Sequence, residues 1–218
     1  SARVTPAPAD PGEARERSIR LFAERCHYEK PHSEHVQKLA LQLFDALGRR
    51  IGGEPSHRAI LSDAALLHDV GYHIGDVRHH KHSFHLIVHA ELLGVSPEQQ
   101  MMIAHVARYH RGAPPRRRHR EFGLLDVDAR KKIRRLAAIL RLVDGLDRGQ
   151  AGAVRQVKVR WLKRAVRIML LPHTRATSLR LEVWGATRKA DLLEKVAGRS
   201  VELVARDGPV YEQGEESG

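Results

Sequence analysis

Ten of the fifteen histidines fall between positions 68 and 119, and the pair His68-Asp69 opens that stretch directly after the apolar run Ala64-Ala65-Leu66-Leu67. An imidazole beside a carboxylate on buried aliphatics is costly unless something satisfies both, and a divalent cation does so. A cation that activates water for attack on phosphorus takes imidazole and carboxylate ligands and keeps positions open for water and substrate. Helices can deliver such ligands from the borders of their apolar faces. His35 precedes Val36 and lies four residues before Leu39. His68 lies four after Ala64, and Gly71 lets the helix end unwind so that Asp69 aims at the same point. Asp144 lies four after Leu140 and next to Val143. His35, His68, Asp69 and Asp144 are therefore the candidate metal ligands, drawn from three helices. The plainer alternative is a hydrogen-bonded core network.

The elements that position them follow from apolar periodicity. A first helix is expected from Glu13, with Ile19, Leu21, Phe22 and Cys26 on its apolar side, broken by Pro31. A second starts near Ser33 and turns Val36, Leu39, Ala40, Leu43, Phe44 and Leu47 inward until Gly48. A third runs from Ser56 to His68. A fourth starts at Ser83 and ends at Gly94. Ser96-Pro97-Glu98 reads as a cap with proline at the first helical position, opening a helix that continues to Gly112. The run Pro114 to Arg120 is a loop, and Asp128 caps a long helix that buries Ile133, Leu136, Ala137, Leu140 and Val143. After Gly149 the period shortens. Strand-like runs cover Val154–Trp161, Ala165–Leu170, Leu179–Trp184 and Val201–Val204, with a helix over Thr187–Val196. The fold class is mainly α, a helical bundle followed by a small β-rich α+β part. The expected division is a flexible lead over 1–12, a helical domain over 13–149, an α+β domain over 150–205 and a polar tail over 206–218.

The chain of 218 residues has room for one ordinary domain and a small second one. Hydrophobic residues make up 42% but aromatics only 5%, so aliphatics must fill the core. Lys and Arg number 38 against 26 acids, a net charge of +12. That balance favours an anionic partner, against the plainer alternative of a solvated basic surface. Nucleic acid is disfavoured because the aromatic interleaving of single-strand readers is missing. The lone Cys26 excludes an internal disulfide and fits a reducing compartment. No apolar run approaches the ~20 residues of a membrane span, and the first residues hold no signal core. The expectation is a cytoplasmic protein with no membrane partner.

The order His35, His68-Asp69, Asp144 resembles the HD phosphohydrolase superfamily over roughly residues 13–149. A narrower likeness adds Leu67-His68-Asp69-Val70-Gly71, His80-Lys81-His82-Ser83, Arg108-Tyr109-His110-Arg111 and Val196-Ala197-Gly198-Arg199. These resemble the C-terminal half of exopolyphosphatase/guanosine pentaphosphate phosphohydrolase (Ppx/GppA) proteins. Those proteins carry their exopolyphosphatase site in actin-like N-terminal domains, which nothing in this sequence resembles. Many of them also alter the His-Asp pair, whereas here the set is intact.

The resemblance implies an HD-type bundle and a divalent metal, which could be Mn, Mg, Co, Fe, Ni or Zn. It implies hydrolysis of a nucleotide or related phosphorylated anion, and it allows a homodimer. It also implies that His82 and His110 hold a second ion bridged by Asp69, the alternative being hydrogen-bonded histidines or phosphate donors. His105 lies about 140° around a helix from His110, so the two cannot serve one metal, and His110 is preferred. His79, His80, His85 and His89 are expected to be solvated or polar packing groups. Lys81, Arg108 and Arg111 flank the site and would hold phosphate oxygens. Arg116-Arg117-Arg118 could gather a polyanion, or could simply be solvated. Asp147 is expected to support the ligands from behind or to cap a helix near Arg148. The competing reading is a non-catalytic module that binds polyphosphate or a guanosine nucleotide.

Overall fold

The computed structural model describes residues 10–174 and 177–206. The expected lead over 1–12 lies outside this range up to residue 9, and the polar tail lies outside it from 207. Helix α1 (Pro11–Arg25) starts earlier than expected, capped by Asp10, whose carboxylate accepts from the Gly12 amide at 3.2 Å. Ile19, Ala23 and Cys26 are buried, but Leu21 faces out.

Helix α2 (Lys30–Leu47) buries the expected stripe Val36, Leu39, Ala40, Leu43, Phe44 and Leu47. It begins three residues sooner than the sequence suggested. Pro31 does not break this helix; it occupies the first turn, where an amide would have no partner anyway. His32 is thereby drawn into regular helix and buried. Helix α3 (His57–Leu67) ends where expected, and a 3-10 turn over Val70–His73 follows.

Helix α4 (His79–Val88) also starts sooner, at His79 rather than Ser83, and stops before Gly94. Gly71 is required by close approach. A Cβ there would overlap the His79 carbonyl and the Ser83 amide. The Ser83 hydroxyl accepts from the Gly71 amide at 2.9 Å and donates to the His68 carbonyl at 2.7 Å. The start of α4 is thus pinned onto the turn that carries His68 and Asp69.

Helix α5 (Pro97–Arg108) has the expected Ser96 cap, which becomes a reciprocal capping box with Gln99. A short α6 (Arg120–Gly123) follows. Helix α7 (Val127–Leu146) is capped by Asp126, not Asp128: its carboxylate accepts from the Ala129 amide at 2.8 Å. Central α7 is buried on most sides by α2, α3, α5 and the two helices after α7.

Strands β1 (Val154–Trp161) and β2 (Ala165–Pro172) pair antiparallel, and β3 (Ser200–Ala205) joins β2 in parallel. The crossover to β3 holds α8 (Arg180–Thr187) and α9 (Asp191–Ala197). The run Leu179–Trp184 is therefore mostly helix, a correction to its strand reading. The buried Leu179 and Ala186 are seven residues apart, which puts them on one face of a helix and on opposite faces of a strand. The sheet is tied to the bundle where the Gln42 side chain accepts from the Val157 amide at 3.0 Å. Mainly helical architecture with a small sheet near the C-terminal side is as expected.

Candidate metal centre

Four histidines and two aspartates meet where the ends of α3, α4, α5 and α7 converge on the start of α2. His68 and Asp69 sit at the end of α3, held by the Ser83 pin. Asp144 comes from the last turn of α7 and His110 from the turn after α5. The two remaining members are His32, from the first turn of α2, and His79, the first residue of α4.

The contacts form two halves that share Asp69. On one side His32 Nε2 lies 3.7 Å from Asp69 Oδ2 and 3.7 Å from Asp144 Oδ1. His68 Nε2 lies 3.5 Å and 3.6 Å from the same two oxygens. On the other side Asp69 Oδ1 faces His79 Nε2 at 3.2 Å and His110 Nε2 at 3.3 Å. Asp69 Oδ1 is buried and takes no hydrogen bond of ordinary geometry among the described residues. Donor atoms of His32, His68 and Asp144, and likewise those of His68, Asp69 and His110, are mutually close enough to hold one cation each.

The opposite ring nitrogens are all beside acceptors. His32 Nδ1 donates to Asp147 Oδ2 at 2.7 Å. His68 Nδ1 and His110 Nδ1 donate to the Ala65 and Ala107 carbonyls, each at 2.7 Å. His79 Nδ1 lies 3.1 Å from the Asp76 carbonyl. In the neutral rings these bonds favour the hydrogen on Nδ1 and leave Nε2 as a lone pair aimed inward. The inward nitrogens then crowd one another, His32 against His68 at 3.3 Å and His79 against His110 at 3.4 Å. Lone pairs facing lone pairs and carboxylates at these distances need positive charge between them.

The electrostatics agree. Burial works against charge on Asp69, yet the surrounding imidazoles of His68, His110 and His79 hold its carboxyl far below the usual range. Burial also opposes charge on Asp144, and His32, His68 and Lys189 outweigh it in the same direction. Burial lowers His32, but Asp144 and Asp147 overcome it and raise the imidazole to about 9. For His110 burial wins over Asp69 and the ring is pushed down. At 3.3 Å, His32 and His68 do not both carry an extra proton; one positive charge serves the pair.

The structure brings His68, Asp69, Asp144 and His110 together as the sequence suggested. It does not bring His35, His82 or His105. His35 is one turn beyond His32 and lines a neighbouring cavity with Asp147 and His173. His82 is one turn beyond His79, with no carboxylate within ion-pair distance among the described residues. His105 is buried among Phe84, Tyr109 and Phe122, away from the carboxylates. The two histidines that fill these places, His32 and His79, were missed because both helices start sooner than their apolar stripes.

The basic residues divide in the same way. Arg111 lines the cleft, with Nη1 3.5 Å from His79 Nδ1. Arg108 is occupied elsewhere, paired with Glu121 at 3.1 Å and lying over Phe84 and Tyr109. Lys81 is exposed and lines no part of the cleft. Two unanticipated cations, Arg148 and Lys189, do line it, in a cavity of about 410 Å³ that also admits Tyr72 and Asp147. Lys189 donates to Asp144 Oδ2.

The helical body gathers imidazoles and carboxylates at its element ends beneath a cation-lined cleft, donor sets that could hold a cation. The sequence profile of the Ppx/GppA phosphatase, domain III family matches residues 14–182, and the chain belongs to that family. Among curated proteins it is similar to the guanosine-5'-triphosphate,3'-diphosphate pyrophosphatase of Vibrio campbellii, with 32% identity over 98 residues, 44% of this chain and 20% of the relative. The proteins of the same name from Pseudoalteromonas atlantica and Pseudoalteromonas translucida are 31% and 29% identical over 102 residues, again 44% of this chain and 20% of each relative. The chain thus spans about a fifth of the length of these relatives. Among the described residues, no helix is long and apolar enough to cross a membrane.

Proposed function

We propose that this chain carries a metal-dependent phosphohydrolase centre of HD type, acting on a nucleotide or related phosphorylated anion. The observation that carries the reading is the convergence of four imidazole Nε2 atoms on two carboxylates, each ring held by an acceptor at Nδ1. In this reading His32, His68, Asp144 and Asp69 Oδ2 would hold one divalent cation. His79, His110 and Asp69 Oδ1 would hold a second. Mixed imidazole and carboxylate donors suit Mn, Fe, Co, Ni or Zn, and Mg more weakly. Bound divalent cations would supply Lewis acidity and a water ionised near neutral pH.

The remaining work falls to the chain's own groups. Asp147 fixes the tautomer and orientation of His32, and the Ala65 and Ala107 carbonyls do the same for His68 and His110. Arg111 and Arg148 at the cleft would draw in and orient phosphate oxygens. Residues 13–149 would form the metal-holding unit and 150–205 a smaller unit leaning on it. The names of the relatives favour a guanosine nucleotide extended by phosphates as the substrate.

The test is phosphate release from a panel of nucleotides, polyphosphate and a model phosphodiester. The protein is first stripped by chelator and then given Mn²⁺, Mg²⁺ or Co²⁺, with metal content measured alongside. The expected result is turnover that needs the cation and disappears in Asp69→Ala. Tight polyphosphate binding without turnover under any metal would overturn it in favour of a binding module.

A further inference from the structure

Lys189 lies beyond residues 14–182, the span matched by the family profile, in the turn after α8, yet it reaches Asp144. Its delivery is built into the backbone. A Cβ on Gly145 would lie 2.7 Å from both the Ala186 Cα and the Gly185 carbonyl oxygen. A Cβ on Gly185 would in turn meet the Gly145 carbonyl. The two helices α7 and α8 therefore touch main chain to main chain, at the residue directly after Asp144. The turn beyond Ala186 is brought over the cleft, and the Lys189 amide closes it on the Ala186 carbonyl at 2.9 Å. From there the ammonium donates to Asp144 Oδ2, while Asp144 Oδ1 faces the imidazoles. An ammonium has three hydrogens and one carboxylate oxygen takes one of them. The side chain keeps 19% of its surface and lines the same cavity as Arg111 and Arg148.

We infer that Lys189 is a substrate-binding residue that holds a non-bridging phosphate oxygen, and that the Gly145–Gly185 contact exists to place it. The inference rests on the phosphohydrolase reading above. Its sign separates it from a structural prop. A fixed positive charge next to the cation ligands opposes cation binding and favours an anion. Removing it should therefore weaken phosphate and leave the cation alone or tighten it. A lysine that merely shaped Asp144 would, when lost, weaken both.

The experiment compares wild type, Lys189→Met, Lys189→Arg and Gly185→Val. Mn²⁺ binding is followed by calorimetry, and inorganic phosphate is titrated in the presence of Mn²⁺, as a ligand and as an inhibitor of turnover. In Lys189→Met, phosphate should weaken about ten- to a hundredfold, the loss of one charge-assisted hydrogen bond. Mn²⁺ affinity should be unchanged or higher. Arginine should restore part of the phosphate affinity. Gly185→Val, which pushes the two helices apart, should mimic the methionine variant with Mn²⁺ binding kept. Phosphate binding in Lys189→Met within about twofold of wild type would overturn the inference, as would parallel loss of Mn²⁺ and phosphate. A wild type with neither turnover nor Mn²⁺-linked phosphate binding would remove the hydrolase reading itself, a result distinguishable from the other two.

Discussion

Two kinds of buried histidine sit within one bundle and could hardly differ more. In the cleft, His32, His68, His79 and His110 each have an acceptor at Nδ1 and a carboxylate facing Nε2. His105, one helical segment away, is fully buried with neither nitrogen partnered among the described residues. Phe84, Tyr109 and Phe122 surround it, with ring centroids 4.8, 6.1 and 5.8 Å away. Burial pushes its imidazole down to about 4, with Arg108 adding to the effect. Burial alone therefore says little about chemistry. What marks the cleft is that several imidazole Nε2 atoms converge on shared carboxylates, each ring held by an acceptor at Nδ1.

The comparison breaks most sharply at Asp69, because both halves of the cleft lean on its two oxygens. Asp69→Ala should abolish uptake of both cations and cut turnover at least about a hundredfold, read by metal analysis and phosphate release. Retention of both cations would mean that the halves do not share a ligand. A smaller effect is expected behind the ligands. Asp147→Asn keeps the shape but removes the charge facing His32 Nδ1, and metal affinity or activity should fall about ten- to a hundredfold. His110→Ala should remove one cation and leave the other, so that measured stoichiometry drops while Tm changes little.

His105 and His32 should also answer pH in opposite directions. His105 in the folded chain titrates below its unfolded value, so the unfolded state takes up a proton first as pH falls. The stability that a neutral His105 confers is present above about pH 6.5 and is lost towards pH 4. That difference is on the order of 3 kcal/mol. His105→Leu should flatten the acid limb of a denaturation series between those values without touching metal content. His32, raised to about 9 in the metal-free chain, has the opposite sign. Its contribution in chelator-treated protein is full below about pH 6.5 and fades as pH rises through 9. An unchanged acid limb in His105→Leu would assign that destabilisation to other groups.

The amino-acid pattern disclosed the bundle well where apolar stripes were long. The inward face of α2, the Ser96 cap of α5 and the inward run of α7 all stand where the periodicity put them. It failed at helix starts that carry no apolar residue. Lys30-Pro31-His32 precedes the first buried valine of α2, and His79-His80-Lys81-His82 precedes the buried Ser83 and Phe84 of α4. Reading α2 from its first apolar residue moved one expected ligand forward by three, from His32 to His35, and the family resemblance put another at His82, three beyond His79. Three residues are nearly one helical turn, so the wrong histidine sits on almost the right face. The proline in the first turn of α2 was the available signal. Lys189 was beyond reach in another way: it depends on two glycines far apart in sequence letting α7 and α8 touch.

The smallest expected effect tests that displacement directly. His35 and His82 satisfy the spacing rule nearly as well as their neighbours, and a likeness built on spacing alone would keep them. The geometry separates the pairs by where the ring can reach. From the first turn of α2, His32 enters the space between Asp69 and Asp144, while one turn later His35 turns towards Gly152 and His173. From the first residue of α4, His79 stacks on Tyr72 at 3.9 Å and meets Asp69. His35→Ala and His82→Ala should each leave metal stoichiometry intact and turnover within about twofold, as expected of substitutions away from the ligands. His32→Ala and His79→Ala should each lose one cation. Loss of a cation in His35→Ala, with His32→Ala spared, would reverse the assignment and place the start of α2 where its apolar stripe suggested.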